Sequence, residues 1–262
     1  MINEQFIAAI GQYASIFVIV LTRIAATFSA LIFFKREVFP AKIAVLFSMA
    51  LTVFILTNHI DKIHIEPGYF PLLFNLIIQL FLGFIVAFIM NLFIEIFLSL
   101  GQIISMQSGM GFANLLVPRV GPITPISEFF MITATLIFFE LNGHLVLIKM
   151  IVESFQTDFL QFNTFNPELF IQILLFAKII FSGALMLSLS TLIAILLSNI
   201  TIAVMTKFSP QLNIFTVGIN ISMLVCFFAL YVSFDLILEN GKILLNQFLE
   251  FVQYVEIHGA KT

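Results

Sequence analysis

Residues 169–206 read LFIQILLFAKIIFSGALMLSLSTLIAILLSNITIAVMT and contain one charged side chain, Lys178. A bilayer core about 30 Å thick is crossed by roughly 20 helical residues. The stretch is far longer than a single crossing. It therefore predicts a long membrane helix that is tilted or kinked and packed within an assembly.

Other apolar stretches lie on both sides of this one, so we expect an all-α integral membrane protein of about six long hydrophobic helices arranged as hairpins. They cover residues 6–34, 43–57, 72–100, 129–152 and 212–234, with a weaker amphipathic stretch at 243–255 that follows Gly241. The first stretch is too long for a signal peptide and no basic residue precedes it, so we expect it to be retained.

The composition argues against a water-soluble protein. Hydrophobic residues make up 61% of the 262 residues and charged residues 10%, against about 45–50% and about 25% in soluble domains. Mean hydropathy is +1.15. With a net charge of −3, the chain has no excess of basic residues that could bind the phosphates of a nucleic acid. The single cysteine, Cys226, cannot form an internal disulfide bond.

The third connection, residues 101–125, is the most unusual segment and reads GQIISMQSGMGFANLLVPRVGPITP. Its glycines and prolines disfavour a continuous helix, but the segment is too apolar for a solvated loop. Irregular backbone at membrane depth has to be buried in protein or line a cavity. The pattern fits a deformable seal across a pore, but taken alone it favours a re-entrant or interfacial loop that only packs between helices.

Ionisable and polar side chains interrupt the apolar stretches. Such residues are costly in lipid and usually face a partner or a cavity. They could form a proton or ion relay, or they could pair with neighbouring helices and subunits; His144 could carry a proton or pack through a hydrogen bond. The residues concerned are Arg23, Glu95, Glu140, Asn142, His144, Lys149, Lys178 and Asp235.

Signatures of catalysis are missing from the sequence. It contains no zinc-binding H-E-x-x-H motif, no phosphate-binding loop and no G-x-S-x-G nucleophile motif. Ser108 beside Gly109 is insufficient for a serine nucleophile without a placed base. We therefore expect no catalytic residue, no metal and no cofactor.

Three blocks of residues, in order along the chain, resemble the FliR family, the flagellar counterpart of the SctT subunit of injectisomes. The first matches G-x-I-I-x-x-Q-x-G-x-x-F-A with a nearby proline, at Gly101, Ile103, Ile104, Gln107, Gly109, Phe112, Ala113 and Pro118. The second is residues 138–144 with Ser154-Phe155, and the third is residues 209–218, which match P-Q-x-N-I-F-x-x-G. The sequence departs from the family at Val117, Ser209 and Asn220, which affects local loop chemistry rather than the resemblance.

The resemblance implies a subunit of the export gate of a flagellar type III secretion apparatus, in which the third connection plugs a closed pore. Residues 1–165 would be FliP-like and residues 166–262 FliQ-like, including a long hairpin and a C-terminal amphipathic helix. Glycines would let the plug bend and apolar side chains would seal it. The implied plug residues are Met106, Gln107, Gly109, Met110, Gly111, Phe112, Leu115, Leu116 and Val117.

The resemblance also implies partners and a location. FliP-like and FliQ-like subunits would share one complex with this chain in the bacterial inner membrane, at the flagellar basal body, in contact with lipid. FlhB-like and FlhA-like components would lie near a cytoplasmic-side turn that includes Lys207, Pro210, Gln211 and Asn213. Exported unfolded proteins would pass through, and no nucleic acid would bind.

Two other functions are compatible with an apolar helical chain. A proton-coupled secondary transporter would use Glu95, Glu140 and His144 as a proton path and would be expected to show an internal repeat, which is not evident in the sequence. An intramembrane enzyme would depend on one serine or aspartate, and no residue is marked for that role.

Overall fold

The computed structural model describes residues 2–32, 40–59, 69–111, 124–155, 167–208 and 218–259 of the chain. Within these ranges every regular element is a helix, which confirms the all-α prediction. The helices are α1 (Ile2–Ala30), α2 (Ala41–His59), α3 (Tyr69–Gln107), α4 (Pro125–Glu140), α5 (Gly143–Glu153), α6 (Pro167–Phe176), α7 (Lys178–Phe208) and α8 (Ile219–Gly259).

Four apolar segments in the described residues are long enough to cross a membrane: Gly11–Ala30, Pro71–Gln107, Ile171–Phe208 and Ile219–Val255. A fifth is added if α4 and α5 together form one broken span, and α2 contributes the shorter apolar helix Ala41–Thr57. The span Pro71–Gln107 has 37 residues, and at 1.5 Å per residue a helix of that length is about 55 Å long. The predicted helices longer than one crossing are therefore present, and the predicted number of six is approximate.

One compact unit consists of Met1–Asn91, Asn142–Leu174 and Glu250–Thr262. Here α1 crosses α3 closely at Gly83, where an added Cβ would lie 2.5 Å from the carbonyl oxygen of Arg23. The Thr27 hydroxyl donates to the Gly83 carbonyl at 3.2 Å. The side chain of Asn91 donates to the Ala30 carbonyl and accepts from the Ile32 amide, so it caps the end of α1.

The second unit consists of Leu92–Leu141 and Leu175–Leu249. Its core is built on Phe93 of α3, whose ring centroid lies 5.3 Å from that of Phe97, 6.4 Å from Phe138 and 6.1 Å from Phe248. These four phenylalanines are fully buried. The phenylalanine-rich composition thus provides the apolar packing between α3, α4 and α8.

Two glycines that lie between the expected helical stretches are instead inside helices. Helix α3 continues through Gly101 to Gln107, and α8 continues through Gly241, so the expected C-terminal amphipathic helix is the last part of α8. A Cβ at Gly101 would overlap the Ser127 backbone, and one at Gly241 would lie 2.7 Å from the Phe97 ring. Both glycines therefore permit close helix contacts, which offset their poor helix propensity.

The stretch 129–152, expected as one helix, is broken in the middle. Helix α4 ends at Glu140 and α5 begins at Gly143. Asn142 has φ 59° and ψ 25°, a left-handed conformation that asparagine adopts more readily than most residues. The Asn142-Gly143 pair therefore ends the first helix locally even though its surroundings are apolar.

Candidate functional site

The two ends of the third connection meet in a cluster of buried hydroxyl groups within the second unit. We call Ser105, Thr124 and Ser127 the hydroxyl clamp. The Ser105 and Thr124 hydroxyl oxygens are 2.7 Å apart, and those of Thr124 and Ser127 are 2.8 Å apart. The Thr124 hydroxyl also accepts from the Ser127 amide at 3.2 Å and so caps α4. The clamp therefore joins the last turn of α3 to the first turn of α4.

Close packing of the same two helices supports the clamp. Gly101 of α3 lies against the backbone of Ser127, and a Cβ on it would lie 2.7 Å from the Ser127 amide nitrogen. All three clamp residues are buried. Mutual hydrogen bonding satisfies their polar groups where water is excluded, which is the condition for burying hydroxyls at low free-energy cost.

Just beyond the last turn of α3, the chain changes direction at Gly109. The Gly109 amide donates to the Met106 carbonyl at 3.3 Å, and Gly109 has φ +86°, which glycine adopts without strain. A Cβ at this position would lie 3.2 Å from Cγ2 of Ile219, the first residue of α8. The chain turns at Gly109 in this structure; that Gly109 lets the segment bend away stays a prediction.

Side chains from α7 and α8 hold this turn. The Asn199 side-chain amide donates to the Gln107 carbonyl at 3.4 Å, and the Ser222 hydroxyl donates to the Asn199 carbonyl oxygen. Ser108 and Cys226 are joined by a side-chain hydrogen bond. The start of the predicted plug is therefore attached to α7 and α8 of the second unit.

Some of the predicted plug residues lie within the described part of the chain. The Met106 side chain is 74% exposed although it is apolar, and Gln107, Met110 and Gly111 are half-buried. Phe112, Leu115, Leu116 and Val117 lie outside the described residues. The sealing role of this segment stays a prediction.

The predicted cytoplasmic-side turn is described only at its start. Lys207 is exposed in the last turn of α7. Pro210, Gln211 and Asn213 lie outside the described residues. Contact of this turn with a partner stays a prediction.

In the first unit, Arg23 forms a separate buried polar site. Its Nε donates to Gln79 Oε1 at 2.5 Å, and its Nη1 donates to the Ser154 carbonyl at 2.5 Å and to the Ser154 hydroxyl at 3.1 Å. The guanidinium carbon lies 4.1 Å from the ring centroid of Phe155. Among the described residues these partners are all neutral. The cation is therefore held by acceptors at the C-terminal end of α5 and by an aromatic face, both of which favour positive charge.

Glu140 pairs with a residue far away in sequence. Its Oε1 lies 2.7 Å from Nζ of Lys242 on α8, and both side chains are about half exposed. Of the other polar candidates, Glu95 lies half-buried on α3, Asn142 is exposed at the helix break, His144 lies half-buried in the first turn of α5, and Lys178 is exposed at the start of α7.

The sequence alone could not identify the partners of these polar groups. Gln79, Asn199, Ser222 and Lys242 showed no local motif, and each is separated from its partner by between 23 and 102 residues. A polar residue in an apolar stretch is the only available signal, and it does not specify the partner. Within the described residues, no group of His, Cys, Asp or Glu side chains could hold a metal ion.

Comparison with known proteins shows which family of proteins this chain is similar to. The model of "Bacterial export proteins, family 1" matches residues 14–248. Flagellar biosynthetic protein FliR of Buchnera aphidicola subsp. Schizaphis graminum is 29% identical over 235 residues, 89% of this chain and 91% of the relative. FliR of Bacillus subtilis is 28% identical, covering 84% and 86%. Surface presentation of antigens protein SpaR of Shigella flexneri is 27% identical, covering 64% and 63%.

Proposed function

The chain belongs to family 1 of the bacterial export proteins, and from that membership we propose that it is a subunit of the export-gate pore of a flagellar type III secretion apparatus. The membership confirms the resemblance drawn from the three sequence blocks. The names of two relatives, both flagellar biosynthetic proteins FliR, support the flagellar system. The similarity to SpaR supports a component common to related secretion systems.

Within this gate, residues 106–117 form a plug that closes the channel. The observation that carries this proposal is the hydroxyl clamp, because it pins both ends of an apolar, glycine-rich segment to one place. An apolar constriction excludes water and thereby blocks ions without a charged gate. Gly109 and Gly111 give the segment the backbone freedom to move aside when an unfolded protein passes.

The rest of the chain builds the channel wall with other subunits. Residues 1–165 take the place of a FliP-like subunit and residues 166–262 that of a FliQ-like subunit, in a complex with FliP-like and FliQ-like chains. The many exposed apolar side chains of α7 and α8, such as Phe181, Leu197 and Phe228, support contact with lipid and neighbouring subunits. We place the complex in the bacterial inner membrane, at the flagellar basal body, with FlhB-like and FlhA-like components near Lys207. The role is structural rather than catalytic.

A linker variant tests the plug without disturbing its attachment. In it, residues 110–119 are replaced by a Gly-Ser linker of equal length, so that the apolar side chains are lost while the clamp and the Asn199 contact remain. We expect the complex to assemble at its normal level and the membrane to leak ions, measured as potassium efflux from cells that express all gate subunits.

The matched control keeps the segment apolar. Leu115→Ile with Leu116→Ile preserves the side-chain volume, and we expect the membrane to stay tight. A linker variant that assembles normally and leaves the ion permeability unchanged would overturn the plug proposal. A variant with lost assembly is replaced by Phe112→Ala, for which we expect a smaller leak, and a fully tight membrane would then count against the proposal.

A further inference from the structure

The two long helices α7 and α8 of the second unit expose different kinds of surface. Between Lys178 and Lys207, α7 contains no charged residue, and its exposed side chains include large apolar ones such as Leu189. A surface of this kind suits lipid or another apolar helix. Helix α8 instead exposes two carboxylates, Asp235 and Glu239, in the middle of its length.

The carboxylates of α8 lie beside a row of exposed apolar side chains. Val232, Leu236 and Ile243 are 66%, 53% and 54% exposed. Together with Glu239 they follow spacings of four, three and four residues, the pattern by which one helix packs along a second in a left-handed coiled coil. Asp235 directly precedes Leu236 and lies at the edge of the row. We call these five residues the α8 seam.

Neither lipid nor water suits both kinds of side chain in the α8 seam. In lipid, each ionised carboxylate would lose its hydration without gaining a partner, which is costly. In water, the three apolar side chains would stay exposed along about 16 Å of helix, and adjoining exposed apolar side chains rimmed by polar ones are typical of a contact with another molecule. A second helix can cover the apolar row and supply cations to the carboxylates at the same time.

The part of the chain that the structure describes supplies no cation to this seam. Lys242, less than one helical turn from Glu239, is directed to Glu140 of α4, with Nζ 2.7 Å from the carboxylate oxygen Oε1. Among the described residues, no ion pair includes Asp235 or Glu239. The pair of Glu140 with Lys242 is neutral as a whole, so the seam keeps the negative charge of its own two carboxylates. Its complement is a surface with two positive charges.

We propose that the α8 seam docks a basic helix of a neighbouring subunit. Branched apolar side chains of that helix pack on Val232, Leu236 and Ile243, and a lysine or arginine faces each of the two carboxylates. This inference rests on the proposed place of the chain in an export-gate complex and adds the chemistry of one partner. The apolar contacts supply the buried area, and the charges select the helix and its register.

Photo-crosslinking in the assembled complex tests which molecule covers the seam. The cross-linking residue p-benzoylphenylalanine replaces Leu236 in the tagged full-length chain, which is expressed with all gate subunits in its own membrane. We expect the linked peptide to belong to another subunit and to carry a lysine or arginine within one helical turn of the linked residue. A cross-link to lipid alone, to a second copy of this chain or to an uncharged segment would overturn the proposal.

Reversing the charge of the seam tests the role of the carboxylates. In the double variant Asp235→Lys with Glu239→Lys the apolar row is unchanged, but like charges would face each other. We expect on the order of tenfold less of the cross-linked partner to be recovered with the chain, measured by native mass spectrometry. The control is Glu128→Lys, which reverses an exposed carboxylate in the first turn of α4 and should leave recovery at the normal level.

A milder variant covers the case in which the reversed chain is not recovered from the membrane. Asp235→Asn with Glu239→Gln removes the charges without reversing them, and we expect a smaller loss of the partner in the same direction. Full recovery of the partner with this variant, or with the reversed one, would overturn the docking of a basic helix.

Exchanging the charges across the contact is the most specific test. The partner cation that the cross-link places opposite Glu239 is replaced by glutamate and combined with Glu239→Lys, and we expect recovery to return to the normal level. Continued loss of the partner would overturn the pairing. A gate complex that assembles completely with the reversed seam overturns the seam alone, whereas an unmodified chain that elutes alone or as a homodimer overturns the export-gate proposal and the seam together.

Discussion

Arg23 is a buried cation in a membrane helix, and its neighbours explain how it is tolerated. Its guanidinium donates to two neutral side chains and one carbonyl and lies over an aromatic ring. The sequence identified Arg23 as a group that needs a partner. It could not identify Gln79, because the two residues are 56 positions apart and no local pattern connects them.

Replacing Arg23 by lysine keeps the charge but removes the planar set of donors. A lysine ammonium cannot reach Gln79 and Ser154 together while it lies over Phe155, so we expect Arg23→Lys to lower the free energy of unfolding by about 1–3 kcal/mol. The measurement is an SDS titration of the tagged chain in mixed micelles. The control is Lys149→Arg, at an exposed ion pair with Glu153. It should change the free energy of unfolding by less than about 0.5 kcal/mol. Equal stability of Arg23→Lys and the unmodified chain would contradict this explanation.

Glu140 and Lys242 stabilise each other on the surface of the second unit. Without Glu140, Lys242 would lose its ion-pair partner, and insertion scales rate a lysine near the centre of a membrane helix at about 2.5–3.5 kcal/mol. We therefore expect Glu140→Gln to reduce the amount of assembled complex, measured by affinity purification from the membrane.

Exchanging the two charges is the decisive control for that pair. Glu140→Lys combined with Lys242→Glu restores the ion pair and should restore assembly, and export by the assembled complex should be close to normal. Normal assembly of Glu140→Gln with lost export would instead favour a proton relay through this carboxylate.

At the scale of helices, the sequence predicted the type and approximate position of most elements but not that α3 and α8 continue through two glycines. Hydropathy predicts long apolar helices because the bilayer sets a minimum length. Gly101 and Gly241 were expected between helical stretches, and both lie inside helices because Ser127 and Phe97 fill the space that a side chain would occupy. The break at Asn142 was missed because hydropathy does not register a left-handed residue in an apolar stretch.

The role of Gly101 in helix contact gives a prediction for α3 and α4. A Cβ in Gly101→Ala would overlap the Ser127 backbone, which cannot rotate away as a side chain can. We expect Gly101→Ala to lower the free energy of unfolding by about 1–3 kcal/mol, the usual range for overpacking, in the same SDS titration.

Gly11 provides the matched control for that substitution. No atom lies within 4 Å of a Cβ built on it, so Gly11→Ala in α1 should be neutral or stabilise the chain by up to about 1 kcal/mol through helix propensity. Similar effects of the two substitutions would show that α3 and α4 are not in close contact at Gly101.

At the scale of the whole molecule, the chain presents more apolar surface and longer helices than a single protein in a bilayer requires. Segments of 37 and 38 residues exceed one crossing by almost twofold, and large apolar side chains are exposed along α7 and α8. These features could be predicted from composition and stretch length. The hydroxyl clamp and the Asn199 contact could not, because they depend on which helices become neighbours.

Native mass spectrometry of the tagged chain, purified in mild detergent from its own membrane, tests the central claim that it is one subunit of an export-gate pore. The proposal predicts one copy of this chain together with several copies of two smaller helical membrane proteins, FliP-like and FliQ-like. Elution of the chain alone or as a homodimer would contradict it.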